Sequence, residues 1–118
     1  MALKVKRVYD EPEVKDGTRL LADRLWPRGV SKEKAKIDIW GKELTPSNEL
    51  RKWMHANKEK HWKEFEKKYA EELKSNKTEI KNIIGSIKGD ITLITAVKEI
   101  EHSHIPTLVS FLKKIKAK

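Results

Sequence analysis

The 118 residues predict a single small α/β domain, in which about three mainly parallel strands form a sheet packed by several helices. The first reason is length, because a chain of this size forms one domain, here residues 1–118, with an ordinary buried core. The second is the order of elements: two strands, several helices, one strand and a final helix. The third is the uncharged, β-branched run "ITLIT" at 91–95, which is typical of a central strand covered on both faces.

The N-terminal third contains two predicted strands. "LKVKRVY" at 3–9 alternates apolar and charged residues, as a strand with one buried face does. "DEPEVKDG" at 10–17 is rich in turn residues, so we expect a loop there. "TRLLADRLW" at 18–26 is interpreted as the second strand, which Pro27 ends, although its Leu and Ala residues would also suit a helix.

Helical patterns fill the middle of the chain. Ser31 can open a short helix, and "IDIW" then precedes a break at Gly41. Three longer helices are predicted from apolar residues that recur three and four positions apart. They cover residues 45–57, where Ser47 can cap the free amides of the first turn, and residues 58–76 and 77–88.

The C-terminal part contains the third strand and the last helix. "DITLITAV" at 90–97 is the most regular strand pattern in the chain. "HIPTLVSFLKKIKA" at 104–117 is predicted to be a helix, because Pro106 is well tolerated in a first helical turn. The third strand is expected to be central and parallel to at least one neighbour.

Composition excludes several classes of function. The chain has no cysteine, which excludes disulfides, thiolate nucleophiles, cysteine-based zinc sites and iron–sulfur clusters. No apolar run has the roughly 18 residues that a membrane span needs, and the N-terminus becomes charged too early for a signal peptide. We therefore expect a soluble, cytoplasmic protein without membrane contacts, and no pattern indicates a cofactor.

The formal net charge of +9 raises the question of nucleic-acid binding, since basic proteins gain affinity by neutralising phosphates. The excess of Lys and Arg over Asp and Glu is two, three and four across residues 1–30, 31–75 and 76–118. Only "FLKKIKAK" at 111–118 is a basic run without acids, and such a run at a C-terminus is usually solvated. Because the charge is spread along the chain, a dedicated nucleic-acid role is not favoured.

Aromatic residues among the lysines of the predicted 58–76 helix could stack on nucleic-acid bases. Trp62, Phe65, Tyr69 and Leu73 instead recur with helical spacing on one face, while acidic residues alternate with lysines on the other. We favour packing in the core, because a helix that reads a groove would not present so many carboxylates to phosphate.

The segment "EHSH" at 101–104 could indicate a metal, since imidazole and carboxylate are common ligands. No third ligand is fixed by spacing, so we predict no metal and favour histidines paired with a nearby carboxylate. Thr95, at the end of the third strand, could act as a nucleophile with His102 or His104 as its base. An ordinary β-branched strand residue is the favoured interpretation of Thr95.

The stronger candidate site combines "DRLWPRG" at 23–29 with "TAVKEIEHSH" at 95–104. Ligands of open α/β sheets bind beyond the carboxyl ends of parallel strands, so these segments would meet if their strands are parallel neighbours. Arginine forks and a lysine near histidines indicate a site for an anion. The alternative is an internal ion pair, such as Asp23 with Arg24 or Arg51, that only fixes the loop. The candidate residues are Asp23, Arg24, Arg28, Lys98, Glu101, His102 and His104.

Four stretches also resemble a known family: "RVYDEP" at 7–12, "DGTRLLADRLWPRGVSKEKAKIDIWGKELTPSNELRKW" at 16–53, "FEKKYAEEL" at 65–73 and "ITLITAVKEIEHSH" at 91–104. They are similar to the YeaO-like branch of the domain of unknown function 488 family, and the match covers essentially the whole chain. The resemblance implies a compact α/β domain of bacterial and archaeal cytoplasm, and it implies no established biochemical activity. Many longer members carry a cysteine at the end of the last strand, where this chain has Thr95, which implies that thiol chemistry is absent here.

A further feature of that resemblance concerns the loop after the last strand. Longer members have a Cys-His-Arg motif where this chain reads Ser103-His104-Ile105. The YeaO-like branch usually shows Lys-Asp followed by His and Asn, and this chain keeps Lys98 and His102 but has Glu99 and Ser103 at the other two positions. These substitutions imply that any polar network of the branch is altered here.

These observations predict a cytoplasmic protein that binds a small anionic ligand, a phosphate ester or a carboxylate, at one sheet edge. Arg24 and Arg28 would clamp the anion, Lys98 would add charge, and Asp23 would orient an arginine or accept a ligand hydroxyl. If the protein is a hydrolase or transferase, His102 or His104 is the expected acid or base, because imidazole titrates near neutrality. The alternative is a non-catalytic interaction or regulatory module that binds an acidic protein or nucleic acid through a basic face.

Overall fold

The strands of the molecule all run parallel in one sheet. A computed structural model describes residues 2–56 and 61–116, and it contains β1 (Leu3–Arg7), β2 (Thr18–Leu21), β3 (Ile39–Trp40) and β4 (Ile91–Thr95). Their order across the sheet is β1-β4-β2-β3, and every neighbouring pair is parallel. The predicted α/β class and the predicted parallel sheet are confirmed.

The central strand is β4, which lies between β1 and β2. Leu93 of β4 is level with Val5 of β1 and with Leu20 of β2, and all five β4 residues are buried. A strand paired on both sides and covered on both faces can hold uncharged, β-branched residues throughout, because none of its positions meets water. The sequence-based assignment of "ITLIT" as a central parallel strand is therefore confirmed.

The sheet has four strands where the sequence indicated about three. The additional strand is β3, the last two residues of "IDIW", and it pairs with Leu20 and Leu21 of β2. Two residues are too few to display the alternation by which a strand is recognised in a sequence. Only the neighbouring β2 identifies this segment as a strand.

β2 ends at Leu21, earlier than the predicted stretch of residues 18–26. The amide of Ala22 still donates to the carbonyl oxygen of Ile94 over 2.8 Å, and the ladder stops there. At the next residue, the Asp23 side chain takes over the contact with the end of β4. A polar side chain thus replaces backbone pairing, which the apolar pattern of the strand does not reveal.

Within residues 2–56 and 61–116, five α-helices and three short 3₁₀ turns connect and cover the strands. The helices are α1 (Lys32–Ala35), α2 (Asn48–Ala56), α3 (Trp62–Ser75), α4 (Lys77–Gly85) and α5 (Ile105–Lys116), and the 3₁₀ turns are Val14–Asp16, Lys42–Leu44 and Ile100–His102. All predicted helices are confirmed with slightly shorter bounds, and their predicted positions 57–60 and 117 lie outside the described residues. The Leu50 amide donates to the Ser47 hydroxyl over 3.1 Å, as the predicted cap requires. None of the helices in the described part of the chain combines the length and apolar character needed to cross a bilayer.

The two faces of the sheet carry cores of unequal size. Helices α2 to α5 cover one face, where Leu20 and Leu93 lie in a core with Phe65 and Tyr69 of α3. These buried rings confirm that the aromatic face of α3 packs inside the protein. The smaller core on the other face contains Leu21 and Ile94 together with Ala35 of α1 and the half-buried rings of Trp26 and Trp40.

The smaller face is also held by a buried ion pair. The guanidinium of Arg19 donates to a carboxylate oxygen of Asp16 over 2.7 Å, and these residues are only 4% and 1% exposed. The same guanidinium donates twice to the carbonyl oxygen of Ala35, which ties β2 to α1. Burial alone would raise the pKa of Asp16, but the Glu13 amide and the cations of Lys6 and Arg19 outweigh burial and lower this pKa.

The Asp16→Asn substitution should lower the free energy of unfolding by roughly 3 kcal/mol, because it leaves the buried charge of Arg19 without a carboxylate. Urea denaturation at pH 7 measures this loss. Asp90→Asn is the matched control, since Asp90 pairs with Lys4 at the surface over 3.7 Å, and it should cause a much smaller loss. Equal losses in the two variants would contradict a stabilising role for the buried pair.

Candidate functional site

A cleft opens at the carboxyl edge of the sheet, beyond the ends of β2 and β4. These two strands are parallel neighbours, so the loops that follow them leave the sheet at the same edge. Helices α2 and α3 supply the opposite walls, and the enclosed volume is about 1000 Å³. We call this space the edge cleft. The predicted meeting of "DRLWPRG" and "KEIEHSH" is therefore observed, although not every charged residue of these segments reaches the cleft.

The edge cleft combines apolar walls with a small number of charged groups. Its apolar side chains come from both loops and from both helices, and they include Leu25, Met54, Trp62 and Val97. Its charged side chains are Asp23, Arg24, Arg51, Lys98 and Glu99, and its histidines are His55, His102 and His104. Three cations thus face two carboxylates, which gives the lining a net positive formal charge when the histidines are neutral.

Asp23 lies at the junction of the two strands, and each of its carboxylate oxygens accepts one hydrogen bond there. Its Oδ1 accepts from the Thr95 hydroxyl and its Oδ2 from the amide of Ala96, each over 2.7 Å. The Asp23 carbonyl oxygen also accepts from the indole Nε1 of Trp40 over 2.8 Å. The side chain therefore fastens the end of β2 to the end of β4, and the main chain of the same residue is fastened to β3.

His104 stands immediately before α5 and faces the same junction. Its Nε2 lies 2.6 Å from the carbonyl oxygen of Ala22, and because a carbonyl can only accept, Nε2 carries the proton. The same nitrogen is 3.7 Å from Oδ1 of Asp23, and the ring meets Tyr69 edge-on at 6.0 Å between centroids. Burial, assisted by the positive charge of Arg51, lowers the pKa of His104, although the Ala22 carbonyl and Asp23 oppose the shift. The imidazole is therefore neutral at neutral pH.

Arg24 lines the cleft, but its fork is occupied. Its Nε donates to the carbonyl oxygen of Pro46 over 2.9 Å, and its Nη2 lies within reach of the carbonyl oxygens of Lys42 and Thr45 at 3.3 and 3.5 Å. These acceptors belong to the segment that leads into α2. Arg24 thus positions that segment through Nε and Nη2, and it offers the cleft its positive charge and its Nη1 group.

Two of the predicted site residues do not line the edge cleft. Arg28 lies exposed on the loop after Pro27, and Glu101 lies exposed on the Ile100–His102 turn. Lys98 and His102 do line the cleft and are exposed to solvent within it. A role of Arg28 and Glu101 in binding stays a prediction.

The structure also tests the competing interpretation, in which Asp23 forms an ion pair with Arg24 or Arg51. Among the described side chains, neither arginine lies within 4.0 Å of the Asp23 carboxylate. Asp23 is instead held by a hydroxyl and an amide. The loop is fixed, as that interpretation required, but by hydrogen bonds to the neighbouring strand.

Arg51 is the residue that sequence reasoning left out of the site. It belongs to α2, far from "DRLWPRG" in the sequence, and lines the cleft half-buried with one bond from its Nη1 to Asn48 Oδ1 at 3.3 Å. A usable signal was present, because Arg51 is three residues before Met54 and therefore shares its helix face. Recognising that face as one wall of a cleft required knowing where α2 packs.

The less favoured chemical interpretations concern Thr95 and the "EHSH" histidines. The Thr95 hydroxyl is buried, donates to Asp23 and accepts from the amide of Val97 over 3.2 Å, so its neighbour is a carboxylate rather than a histidine base. Thr95 therefore acts as a hydrogen-bonded strand residue, as expected. A metal site would need at least three His, Asp or Glu side chains close together, and residues 2–56 and 61–116 contain no such cluster.

In a comparison with known proteins, residues 2–118 match the family described as "Inactive DUF488-N3 subclade". The chain is 38% identical to the uncharacterised protein YeaO of Escherichia coli over 116 residues, which cover 98% of this chain and all of that protein. It is 36% identical to the uncharacterised protein Rv3073c of Mycobacterium tuberculosis over 112 residues, 93% of this chain and 92% of the other. No solved structure matches the chain significantly.

Replacing Asp23 by Asn should lower the free energy of unfolding by about 2 kcal/mol. The NH₂ group of Asn cannot accept a hydrogen bond, so one of the two donors that now bind the carboxylate would lose its acceptor. Thr95→Val, which removes one donor only, should cost about 1 kcal/mol. Chemical denaturation measures both losses. Glu99→Gln is the control, since this exposed carboxylate lines the same cleft, and it should change stability little. A harmless Asp23→Asn would contradict the role of the carboxylate in joining the strands.

The neutral state of His104 should make stability fall at acidic pH. Its pKa in the folded protein lies below the usual 6.5, so between these two values the unfolded chain binds the proton and the folded chain does not. The contribution of the neutral His104 imidazole to the free energy of unfolding is complete above about pH 6.5 and is lost as the pH falls through the pKa of the folded protein. Urea midpoints at pH 7.5 and 5.5 should therefore differ less in His104→Gln than in wild type, because Gln keeps an N–H donor but does not titrate.

His102→Gln is the control for this pH experiment. The imidazole of His102 is exposed, so its removal should leave the difference between the two urea midpoints as in wild type. If His104→Gln retained the wild-type difference, another group would be responsible for the pH dependence.

Proposed function

The chain belongs to the inactive DUF488-N3 subclade, and from that premise we propose that it binds a small anionic ligand, a carboxylate or phosphate ester, in the edge cleft without transforming it. One observation carries the proposal: Arg51 and Lys98, from α2 and from the loop after β4, line the same cleft among largely apolar walls. Concave sites with apolar walls and few polar groups are where proteins bind small molecules.

The charge of the cleft supports an anion. The Asp23 carboxylate keeps its negative charge, but two of its lone pairs are used by the Thr95 hydroxyl and the Ala96 amide. Arg24 keeps its positive charge although its Nε and Nη2 are engaged, and Arg51 and Lys98 add two more positive charges. A cleft with an excess of one sign of charge concentrates ligands of the opposite sign.

Binding without catalysis is supported by the state of the chemical groups. The Thr95 hydroxyl donates to Asp23, and the proton on Nε2 of His104 is held by the Ala22 carbonyl, so only Nδ1 of that ring remains to act. The family description also reads "Inactive". If hydrolysis or group transfer nevertheless occurs, His102 is the better acid or base of the two histidines, because it is exposed within the cleft.

A second candidate function is an interaction module that binds an acidic protein or nucleic acid. It is favoured by a separate groove of about 440 Å³ between α3, α4 and α5, which we call the lysine groove. Its lining includes Lys74, Lys77, Lys81 and Lys114 and a single acid, Glu66. Such a groove suits phosphates or carboxylates of a large partner, and that binding would weaken steeply with added salt.

The proposed location is the cytoplasm. A chain without cysteine gains no stability from an oxidising compartment, because it can form no disulfide. The proposed ligands, small phosphate esters and carboxylates, are also typical of metabolism inside the cell.

Arg51→Ala should abolish the thermal stabilisation that phenylacetate or phenyl phosphate gives the wild type. A ligand in tenfold excess over its Kd stabilises the folded state by about 1.4 kcal/mol, which raises the Tm of a domain of this size by roughly 5 °C. Differential scanning fluorimetry with each probe measures the shift. Lys52→Ala is the matched control, since Lys52 is an exposed cation one residue away outside the cleft lining, and it should keep the full shift.

Two further comparisons complete this test. Arg28→Ala tests the sequence-based prediction that Arg28 binds the anion. If this variant binds the probes as wild type does, Arg28 is not part of the binding site. The proposal would be overturned if neither probe raised the Tm of the wild type, or if Arg51→Ala showed the same rise as the wild type. Binding of a polyanion that persists in Arg51→Ala and disappears with added salt would instead support the interaction module.

A further inference from the structure

The ligand class can be narrowed further. Resting on the proposed function, we infer that the edge cleft takes a carboxylate monoanion with an aromatic or bulky apolar body, rather than a bare anion or a phosphate dianion. Three features of the cleft lead to this class: its size, its unpartnered apolar surface and its balance of charges.

The size of the cleft exceeds what a bare anion needs. Its volume of about 1000 Å³ lies at the upper end of the roughly 300–1,000 Å³ that is typical of small-molecule sites. Phosphate or acetate would fill a small fraction of this space and would leave the apolar walls in water. A ligand that uses the cleft must therefore carry a sizeable body beside its charged group.

The apolar surface of the cleft is available for such a body. Leu25 is 62% exposed although it lies at the cleft, and Met54 and Trp62 are only partly buried. The Trp62 ring stacks on Phe65 with centroids 5.1 Å apart, which holds the indole in place. Covering these side chains removes apolar surface from water, and this is favourable.

The free donors suit one carboxylate. Nε and Nη2 of Arg24 are committed to backbone carbonyls, whereas Arg51 makes one hydrogen bond, to Asn48, and has further guanidinium N–H groups. A guanidinium presents parallel N–H groups that match the two oxygens of a carboxylate. Lys98, exposed in the same cleft, can add a second cation to the anion.

The balance of charges favours a single negative charge. The described residues of the lining include three cations and two carboxylates, so one added negative charge neutralises this set and two would exceed it. The carboxylates of Asp23 and Glu99 would also repel a dianion. His104 adds no positive charge near pH 7, because burial lowers its pKa.

The experiment compares four probes in isothermal titration at pH 7.5: phenylacetate, acetate, phenyl phosphate and 2-phenylethanol. We expect phenylacetate to bind at least about tenfold more tightly than each of the others. Acetate lacks the apolar body, phenyl phosphate has the second charge, and 2-phenylethanol lacks the anion. Arg51→Lys, which keeps the charge but not the fork, should weaken phenylacetate several-fold.

A surface variant makes the apolar contribution testable without affecting the fold. Leu25→Ser should weaken phenylacetate several-fold and leave acetate unchanged, because Leu25 contacts water in the free protein. Val14→Ser is the matched control: Val14 is 102% exposed on the Val14–Asp16 turn, outside the edge cleft, and phenylacetate should bind this variant as it binds wild type.

The outcomes separate this inference from the proposed function. Arg51-dependent binding in which phenyl phosphate or acetate equals or exceeds phenylacetate would overturn the inference and leave the proposed anion site intact. Tight binding of 2-phenylethanol alone would overturn both, since the cleft would then select apolar bodies without charge. Failure of every probe to show Arg51-dependent binding would likewise overturn the proposed function and this inference with it.

Discussion

The carboxylate of Asp23 is the constraint on which the carboxyl edge of the sheet depends. Parallel strands end in loops, and without cross-links the ends of two such strands can separate. Asp23 prevents this by accepting from the hydroxyl of Thr95 and the amide of Ala96, while its own carbonyl accepts from Trp40. One residue therefore joins the ends of three strands and fixes where both cleft-forming loops begin.

The rest of the cleft is assembled by polar groups that bind backbone atoms. Arg24 holds the carbonyls before α2, and His104 holds the carbonyl of Ala22. Glu72 of α3 accepts from the amide and hydroxyl of Ser47, and Ser47 in turn caps α2. These side chains are engaged in holding the fold together, whereas Arg51, Lys98 and the exposed His102 are among the polar groups of the cleft that a ligand can reach.

The hydrogen bonds around Thr95 and His104 agree with the description of the family as inactive. Thr95 stands where, by resemblance, many longer relatives carry a cysteine. Its hydroxyl donates to a carboxylate that is itself needed to join the strands, and the neighbouring imidazole is neutral with its proton directed at a carbonyl. An arrangement of this kind stabilises a cleft, and it offers no activated nucleophile within it.

The sequence alone determined the parts of the molecule that depend on local patterns. Alternation identified β1 and helical spacing identified the aromatic face of α3, whereas an uncharged, β-branched run identified β4, because a strand buried on both faces shows no alternation. The short strand β3 was missed, because two residues carry no period. The meeting of "DRLWPRG" with "KEIEHSH" was also predictable, since the carboxyl ends of parallel neighbours share an edge.

Only the tertiary structure decided which charged residues of the edge are available. Arg24 and Arg51 are the same chemical group, and the sequence favoured Arg24 because it lies beside Asp23. The fold gives Arg24 the carbonyls of Pro46, Lys42 and Thr45 as acceptors and brings Arg51 from α2 into the cleft. Whether the Arg24 donors are free depends on acceptors that lie 18 to 22 residues away along the chain, and no local pattern records them.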